Sequence, residues 1–472
     1  MKPFSRKILL SAAIFCFLVI APAISLYAIG YRLDLATKSI KQTGVLILES
    51  TPKNAEIFLN DKQISQKTPA KIKNLLPGDY KIKIAKDNYI FWEKKLPIIS
   101  RQTTWASYIT LFYEIPKTEN LTTHTLSDFI LTSNSDKLFY FVETGDDKGI
   151  WQLTLNEKNK NIKIFPQAED LKRLSNFANS KLDAFSLSPN NQKNLLHLLP
   201  YGYFILNLTD NKTTYLSDFT SSKIENVKWD YDNSEKVYFT NEAGLFQIDL
   251  RAKNTSPIIV AADILDYETS SSKIFYLAKN SKKNNVLLNE LGRGNRKNHP
   301  KTKILNKIQK ADNMILKISS QGYLAYLDRD RGRLYLYNGG KQKIIAQNSI
   351  KDFLWSQRGN KLLYFGDHEI WFYNIQKEEI FRLGYKSNVP NLITRLSLEI
   401  KNALFFDEEH IAFIQENKAI KIIELDGRDK QNTYEIKANP YQDKIFFNKN
   451  KTQIYYIDED SRNLKAVEIR EK

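Results

Sequence analysis

The sequence predicts an all-β protein behind a single N-terminal transmembrane helix, and three observations support that fold class. Residues Ile8 to Gly30 carry no charged side chain. Downstream, apolar and polar residues alternate, as in Tyr80-Lys81-Ile82-Lys83-Ile84, the signature of a strand with one buried and one solvated face. From Ile115 to Lys472 a strand–turn–strand phrase recurs with no long helical periodicity between its copies. The 472 residues exceed one average domain, and 42% hydrophobic with 12% aromatic content argues for a folded chain despite 26% charged residues. A single cysteine excludes an intrachain disulfide and a zinc–thiolate site. With 17 glycines in the chain, phosphate-cradling loops are not its dominant theme. No cofactor is expected.

The uncharged run is long enough to cross the roughly 30 Å hydrocarbon core as a helix. Lys2, Arg6 and Lys7 precede it, so the excess of positive charge predicts a cytoplasmic N-terminus with the bulk of the chain outside the cytoplasmic membrane. A cleaved signal peptide is the alternative, with Ala21 and Ala23 or Leu26-Tyr27-Ala28 as sites. The run exceeds the usual signal core and ends on no small-residue site, which favours a signal anchor over residues 1–30. Cys16 follows Ala13-Ile14-Phe15 and so lacks the small residue that precedes a lipidated cysteine.

Residues 31–42 read as a short polar linker. A β module follows over 43–114. Gly44 to Ser50 is a buried strand, Thr51-Pro52-Lys53-Asn54 a turn, and Ala55 to Asn60 the next strand. Lys67-Thr68-Pro69 breaks the chain again, and Leu76-Pro77-Gly78-Asp79 forms a tight turn into the alternating strand Tyr80–Ile84. Trp105 to Leu111 closes the module.

This module resembles the PEGA domain, a small β-sandwich found mainly in bacterial and archaeal surface proteins. The resemblance rests on Gly44, Leu46, Ile47, Ser50, Pro52, Ala55, Thr68-Pro69, Leu75, Pro77-Gly78, Tyr80, Tyr89 and Trp92. Lys62, Lys67 and Asn88 stand where the family tends to have glycine; asparagine tolerates left-handed backbone, so the last change is mild. The resemblance implies a non-catalytic scaffold or wall-proximal spacer.

Over 115–472, Ile224–Trp229 with Val237-Tyr238-Phe239 matches Ile350–Trp355 with Leu362–Phe365 almost residue for residue. Weaker copies centre on Leu138, Leu195, Ile274, Leu324, Ile411 and Ile454. A period of about 45 residues is the blade length of a β-propeller. One blade cannot bury both faces of its sheet, so the copies must stack in a ring. About eight copies predict a seven- or eight-bladed β-propeller, seven if Leu182–Leu216 or the last copy is only part of a blade. The phrase resembles the WD-like repeat of exported bacterial propellers at Leu187-Ser188-Pro189-Asn190-Asn191 and Trp355-Ser356-Gln357-Arg358-Gly359.

No catalytic motif is legible. His124, His197, His299, His368 and His410 fall in different repeats without metal-ligand spacing, and neither a Gly-x-Ser-x-Gly elbow nor a sialidase-type Asp box occurs. Asp328-Arg329-Asp330-Arg331-Gly332 and Asp458-Glu459-Asp460 lack the rest of a calcium loop. Paired carboxylates brought together across the channel are the remaining route to an enzyme, one acting on an envelope polysaccharide or other polymer. Charge supplies the other lead. The chain carries a net +17, and Lys282, Lys283, Arg293, Arg296, Lys297, Lys301, Lys303, Lys307 and Lys310 are opposed only by Glu290. With Gly292, Gly294, Asn298 and Pro300 among them, they read as a long projecting loop, either a solvated insertion or a contact for anionic wall polymer, lipid headgroups or an acidic protein partner. Nucleic acid is excluded as a partner by the predicted export and the lack of a recognition motif. The reading that follows is a membrane-anchored, extracytoplasmic scaffold whose propeller is an interaction platform.

Overall fold

A computed structural model describes residues 3–35, 37–155, 160–252, 254–260, 263–280, 282–292, 302–347, 349–375 and 383–471. The chain opens with helix α1, Pro3–Ala28. Its segment Leu10–Ala28 has a mean hydropathy of 2.2 and touches nothing that would bury it, and it is the one helix among the described residues long and apolar enough to cross a membrane. Arg32 caps its C-terminus, donating to the Tyr27 carbonyl at 2.8 Å and lying 3.5 Å above the Tyr27 ring, so a carbonyl at the helix end that also accepts the Gly30 N–H gains a cationic donor.

Where a polar stalk was expected, strands β1 (Tyr31–Asp34) and β2 (Ser39–Gln42) form an antiparallel hairpin. Four-residue strands are too short to declare a period, and the turn is held by side chains: Asp34 accepts from Thr37 Oγ1 at 2.7 Å and from Lys41 Nζ at 2.8 Å.

The next module is a two-sheet sandwich. One sheet has the order Ala70–Leu75, Gly44–Thr51, Thr103–Thr110, the last two parallel; the other runs Lys62–Lys67, Glu56–Leu59, Gly78–Ala85, Trp92–Ile98. Alternation decides the faces. Ile82 and Ile84 join Leu46, Leu48, Ile57, Leu96 and Ile109 in the core, while Lys81 turns outward to Asp61 at 2.9 Å. At Gly44 a Cβ would lie 2.6 Å from the Ile99 carbonyl oxygen, a contact only glycine avoids. Asn88 adopts φ 66°, the left-handed backbone its residue type tolerates.

Beyond it lie eight four-stranded antiparallel sheets among the described residues, so the propeller has eight blades. Their first strands are Leu126–Leu131, Lys181–Leu187, Glu225–Trp229, Ile264–Thr269, Met314–Ile318, Asp352–Trp355, Ile400–Phe405 and Pro440–Phe447, taken as blades 1 to 8. First strands of neighbouring sheets pack on one another, as in blades 1 and 2, 4 and 5, and 7 and 8, which sets them around the axis. The Lys181–Tyr215 copy is a complete blade. The last copy supplies only three strands, and Lys117–Asn120 adds the fourth by pairing with Leu464–Glu468, which closes the ring by joining the start of the propeller chain to its end. The second strands Leu324–Asp328, Lys361–Phe365 and His410–Gln415 are buried along their whole length. Apolar clusters cross blade boundaries, as Leu327 and Leu334 of blade 5 do with Phe353 and Tyr364 of blade 6, each large side chain contributing about 1.5–3 kcal/mol.

Candidate functional site

Three regions bear on function: the channel wall, the junction between sandwich and propeller, and the basic stretch.

Along the channel a clasp recurs between first strands. A lysine of one blade reaches an aspartate of the next, and that aspartate precedes an aromatic residue. Lys228 Nζ lies 2.6 Å from Asp266 Oδ1 and donates to the Tyr267 carbonyl at 2.7 Å. Lys317 Nζ lies 2.9 Å from Asp352 and 2.6 Å from the Phe353 carbonyl. Lys444 reaches Asp128 across the ring closure. The ammonium groups also sit over the rings that follow, 5.1 Å from Tyr267, 4.8 Å from Phe353 and 6.0 Å from Phe129, and each aspartate accepts the next backbone N–H at 2.7–2.8 Å. Cation–π attraction adds to the ion pair, so each clasp fixes the offset between two blades. Trp229 and Trp355, equivalent in the repeat, both donate their indole N–H to a carbonyl of the preceding blade, Ser186 at 3.3 Å and Lys317 at 3.2 Å.

Asp266 and Glu268 are a pair of carboxylates on a first strand that meet at one lysine. Two residues apart on one strand, they share a face, and Lys228 Nζ is 2.6 Å from the first and 3.1 Å from the second. Burial pushes Glu268 up, against the pull of Lys228. Asp266 has no spare oxygen: it accepts from Asn226, Lys228, the Tyr267 amide and, at 2.8 Å, the Leu316 amide. An ammonium held between the two carboxylates occupies the place a scissile oxygen would need.

The junction was not foreseen from sequence. Trp92, Lys94, Leu96 and Ile98 are in phase on one strand, all buried, so a lysine stands at a core position. Its side chain is 0% exposed and lies 2.9 Å from Glu424 in blade 7. It also donates to the carbonyls of Asp426, Arg428 and Lys430, the last two at 2.9 and 2.8 Å. Glu424 in turn accepts from the Trp92 indole at 2.8 Å and from the Asn432 backbone and amide at 2.7 and 2.8 Å. Glu424 is likewise in phase with Ile420 and Ile422, all three buried. The signal legible beforehand was a charged residue on each buried face, one lysine and one glutamate. Phe112 completes the contact by packing on Phe406 and Tyr434.

Over its described residues the basic stretch is mostly strand where a projecting loop was expected. Asn285–Gly292 and Thr302–Gln309 are the two outer strands of blade 4, registered Val286 to Ile308. Val286, Leu288, Leu291 and Ile308 are buried, and this inward alternation overrides the density of lysine. Lys303 and Lys307 project from the outermost strand, Lys310 follows it, and Lys282 and Lys283 lie in the turn before Asn285; all five are exposed. Arg293, Arg296, Lys297 and Lys301 lie outside the described residues. Among the described residues, no group of three or more histidine, cysteine or acidic side chains is placed to hold a metal. His410 is buried against Asp407 at 3.0 Å, and His197 stacks on Tyr203.

Residues 43–111 match the PEGA domain. They are the sandwich that Lys94 fastens to blade 7. No curated protein sequence matches the chain. Among solved structures, the C-terminal WD40 domain of Sif2 is similar at a TM-score of 0.49 and 11% identity, covering 76% of this chain and 99% of that one. YCF48 from Cyanidioschyzon merolae is similar at 0.45 and 12%, over 74% and 98%. An oligogalacturonate lyase from Vibrio parahaemolyticus is similar at 0.41 and 8%, over 75% and 93%. The propeller assignment rests on the sheet order described above.

Proposed function

We propose that this protein is a membrane-anchored scaffold of the cell envelope. Helix α1 holds it in the cytoplasmic membrane with the N-terminus inside, the PEGA domain is a rigid spacer, and the propeller outside is the binding platform. The observation that carries this reading is the Lys94 junction. A buried ammonium with two carboxylate partners, Glu424 at 2.9 Å and Asp426 at 3.8 Å, and three carbonyl partners makes sandwich and propeller a single body, so the platform is presented at a fixed offset from its anchor. The same reading is supported by the Asp266 and Glu268 pair, which is engaged by Lys228. The exposed Lys282, Lys283, Lys303, Lys307 and Lys310 edge of blade 4 is the surface offered to an anionic wall polymer, lipid headgroups or an acidic protein.

Two measurements test the proposal. A reporter active only outside the cytoplasm, fused after Lys472, gives signal under this reading; silence overturns the topology. Replacing Lys303, Lys307 and Lys310 by Gln weakens retention on isolated envelopes at low salt, where surface charge is least screened. Unchanged retention removes the basic edge from the contact surface.

A further inference from the structure

The hairpin after α1 carries large aliphatic side chains that stand exposed. Its register sets Leu33 directly opposite Ile40, and these side chains are 59% and 61% exposed, with Leu35 at the turn 80% exposed. The other face is polar and internally satisfied. Asp34 is buried under Thr37 and Lys41, and Arg32 is committed to the Tyr27 carbonyl and ring. The polar residues therefore shape the hairpin and bind it to the helix end, leaving three large aliphatic side chains outward.

Its position along the chain selects the occupant. The apolar segment ends at Ala28 and β1 starts at Tyr31. Thr43 donates to the Gly30 carbonyl from its backbone N–H at 2.9 Å and its hydroxyl at 2.7 Å, while Arg101 of the sandwich reaches Tyr31 Oη at 3.3 Å. The hairpin cannot drift away from the point where the helix leaves the bilayer. A segment that close to a span lies at the boundary between acyl chains and headgroups, where an amphipathic element buries its apolar side. Lys38, exposed in the turn, is placed to reach lipid phosphate with its ammonium.

We propose that Leu33, Leu35 and Ile40 insert into the bilayer interface where α1 emerges, making the hairpin a footing that sets the height and tilt of the PEGA domain. The inference rests on the membrane anchoring of α1 proposed above. The test uses the full-length protein carrying Cys16→Ser, reconstituted into phosphatidylcholine–phosphatidylglycerol vesicles. An environment-sensitive fluorophore is attached to a single cysteine at Leu35→Cys, at Val19→Cys in mid-span, or at Lys62→Cys on the sandwich. The expected result is quenching of the Leu35 probe by shallow nitroxide lipids and severalfold less quenching by aqueous iodide than at Lys62. Adding Leu33→Ser and Ile40→Ser abolishes the lipid quenching at Leu35 while leaving that at Val19. Lipid quenching at Val19 with none at Leu35 overturns the footing and leaves the anchor standing; absence at both overturns the anchor and the footing with it.

Discussion

Lys94→Met is the sharpest perturbation the junction offers. Methionine keeps the length and apolar stem of the side chain and removes only the charge and its donors. Glu424, whose side chain is 6% exposed, is then a buried carboxylate without its cation, and the carbonyls of Asp426, Arg428 and Lys430 lose a shared donor. Breaking a buried pair from one side costs about 3–5 kcal/mol, and each stranded acceptor about 1–3 kcal/mol when water cannot reach it. These terms overlap, so the expected destabilisation is about 3–5 kcal/mol in total. Glu424→Gln should cost less, about 1–3 kcal/mol, because an amide oxygen in the Oε1 position still accepts from Asn432 and the acceptor for Trp92 is what is lost. The assay is urea unfolding of the detergent-solubilised full chain, with limited proteolysis of the connection at Phe112–Lys117 reporting release of the PEGA domain. The double variant closes a thermodynamic cycle whose coupling should exceed about 1 kcal/mol. A Lys94→Met protein within about 0.5 kcal/mol of the parent, with the connection still protected, would refute the argument, since surface changes fall in that range.

The remaining predictions concern the ring. Asp407 raises the pKa of the buried His410 imidazole against the opposing effect of burial, and His410 holds Asp407 below its ordinary value although burial pushes it up. The histidine contribution is complete below its unfolded pKa, about 6.5, and fades as pH rises through the raised folded value; the aspartate contribution is complete above about 3.9 and fades as acid depresses it through the lowered one. The stability gap between parent and Asp407→Asn should therefore be widest in mild acid and narrow in alkali; a gap that stays constant from about pH 5 to 9 in denaturation midpoints rejects the coupling. Asp266→Ala strands the Leu316 amide, leaves Lys228 with Glu268 as its one carboxylate and should lower stability by about 3 kcal/mol, whereas Asp352→Asn at the half-exposed clasp should cost about 1 kcal/mol or less; equal losses by urea unfolding would remove burial as the cause. The Lys303, Lys307 and Lys310 triple change to Gln should leave stability within about 0.5 kcal/mol, so any lost envelope retention reports contact rather than folding.

Regularity decided what could be read from the sequence. Period-two alternation in Tyr80–Ile84 and the near-identity of Ile224–Trp229 and Ile350–Trp355 are repeated physical constraints, and they announced the sandwich and the blades. Lys117–Asn120 announced nothing. It is exposed at every position and is a strand only because Leu464–Glu468 offers it a ladder, so the choice between seven and eight blades hung on a segment with no apolar pattern. The strands of the blade 4 edge were hidden for the opposite reason: lysine density suggested a loop across them, while the buried residues Val286, Leu288 and Ile308 carried the strand signal. Lys94 and Glu424 were visible as charges in phase with buried neighbours, but their meeting joins residues 330 positions apart on different modules, and local pattern holds no information about that pairing.

The ring closure also has a mechanical meaning. The chain enters the propeller through Lys117–Asn120, so tension applied between the membrane and a ligand on the platform would, by that route alone, peel a short edge strand from its partner one rung at a time. The Lys94 fastening supplies a second load path, from the sandwich straight into blade 7, parallel to the zipper. Pulling must rupture a buried ionic knot before it can unzip the ring.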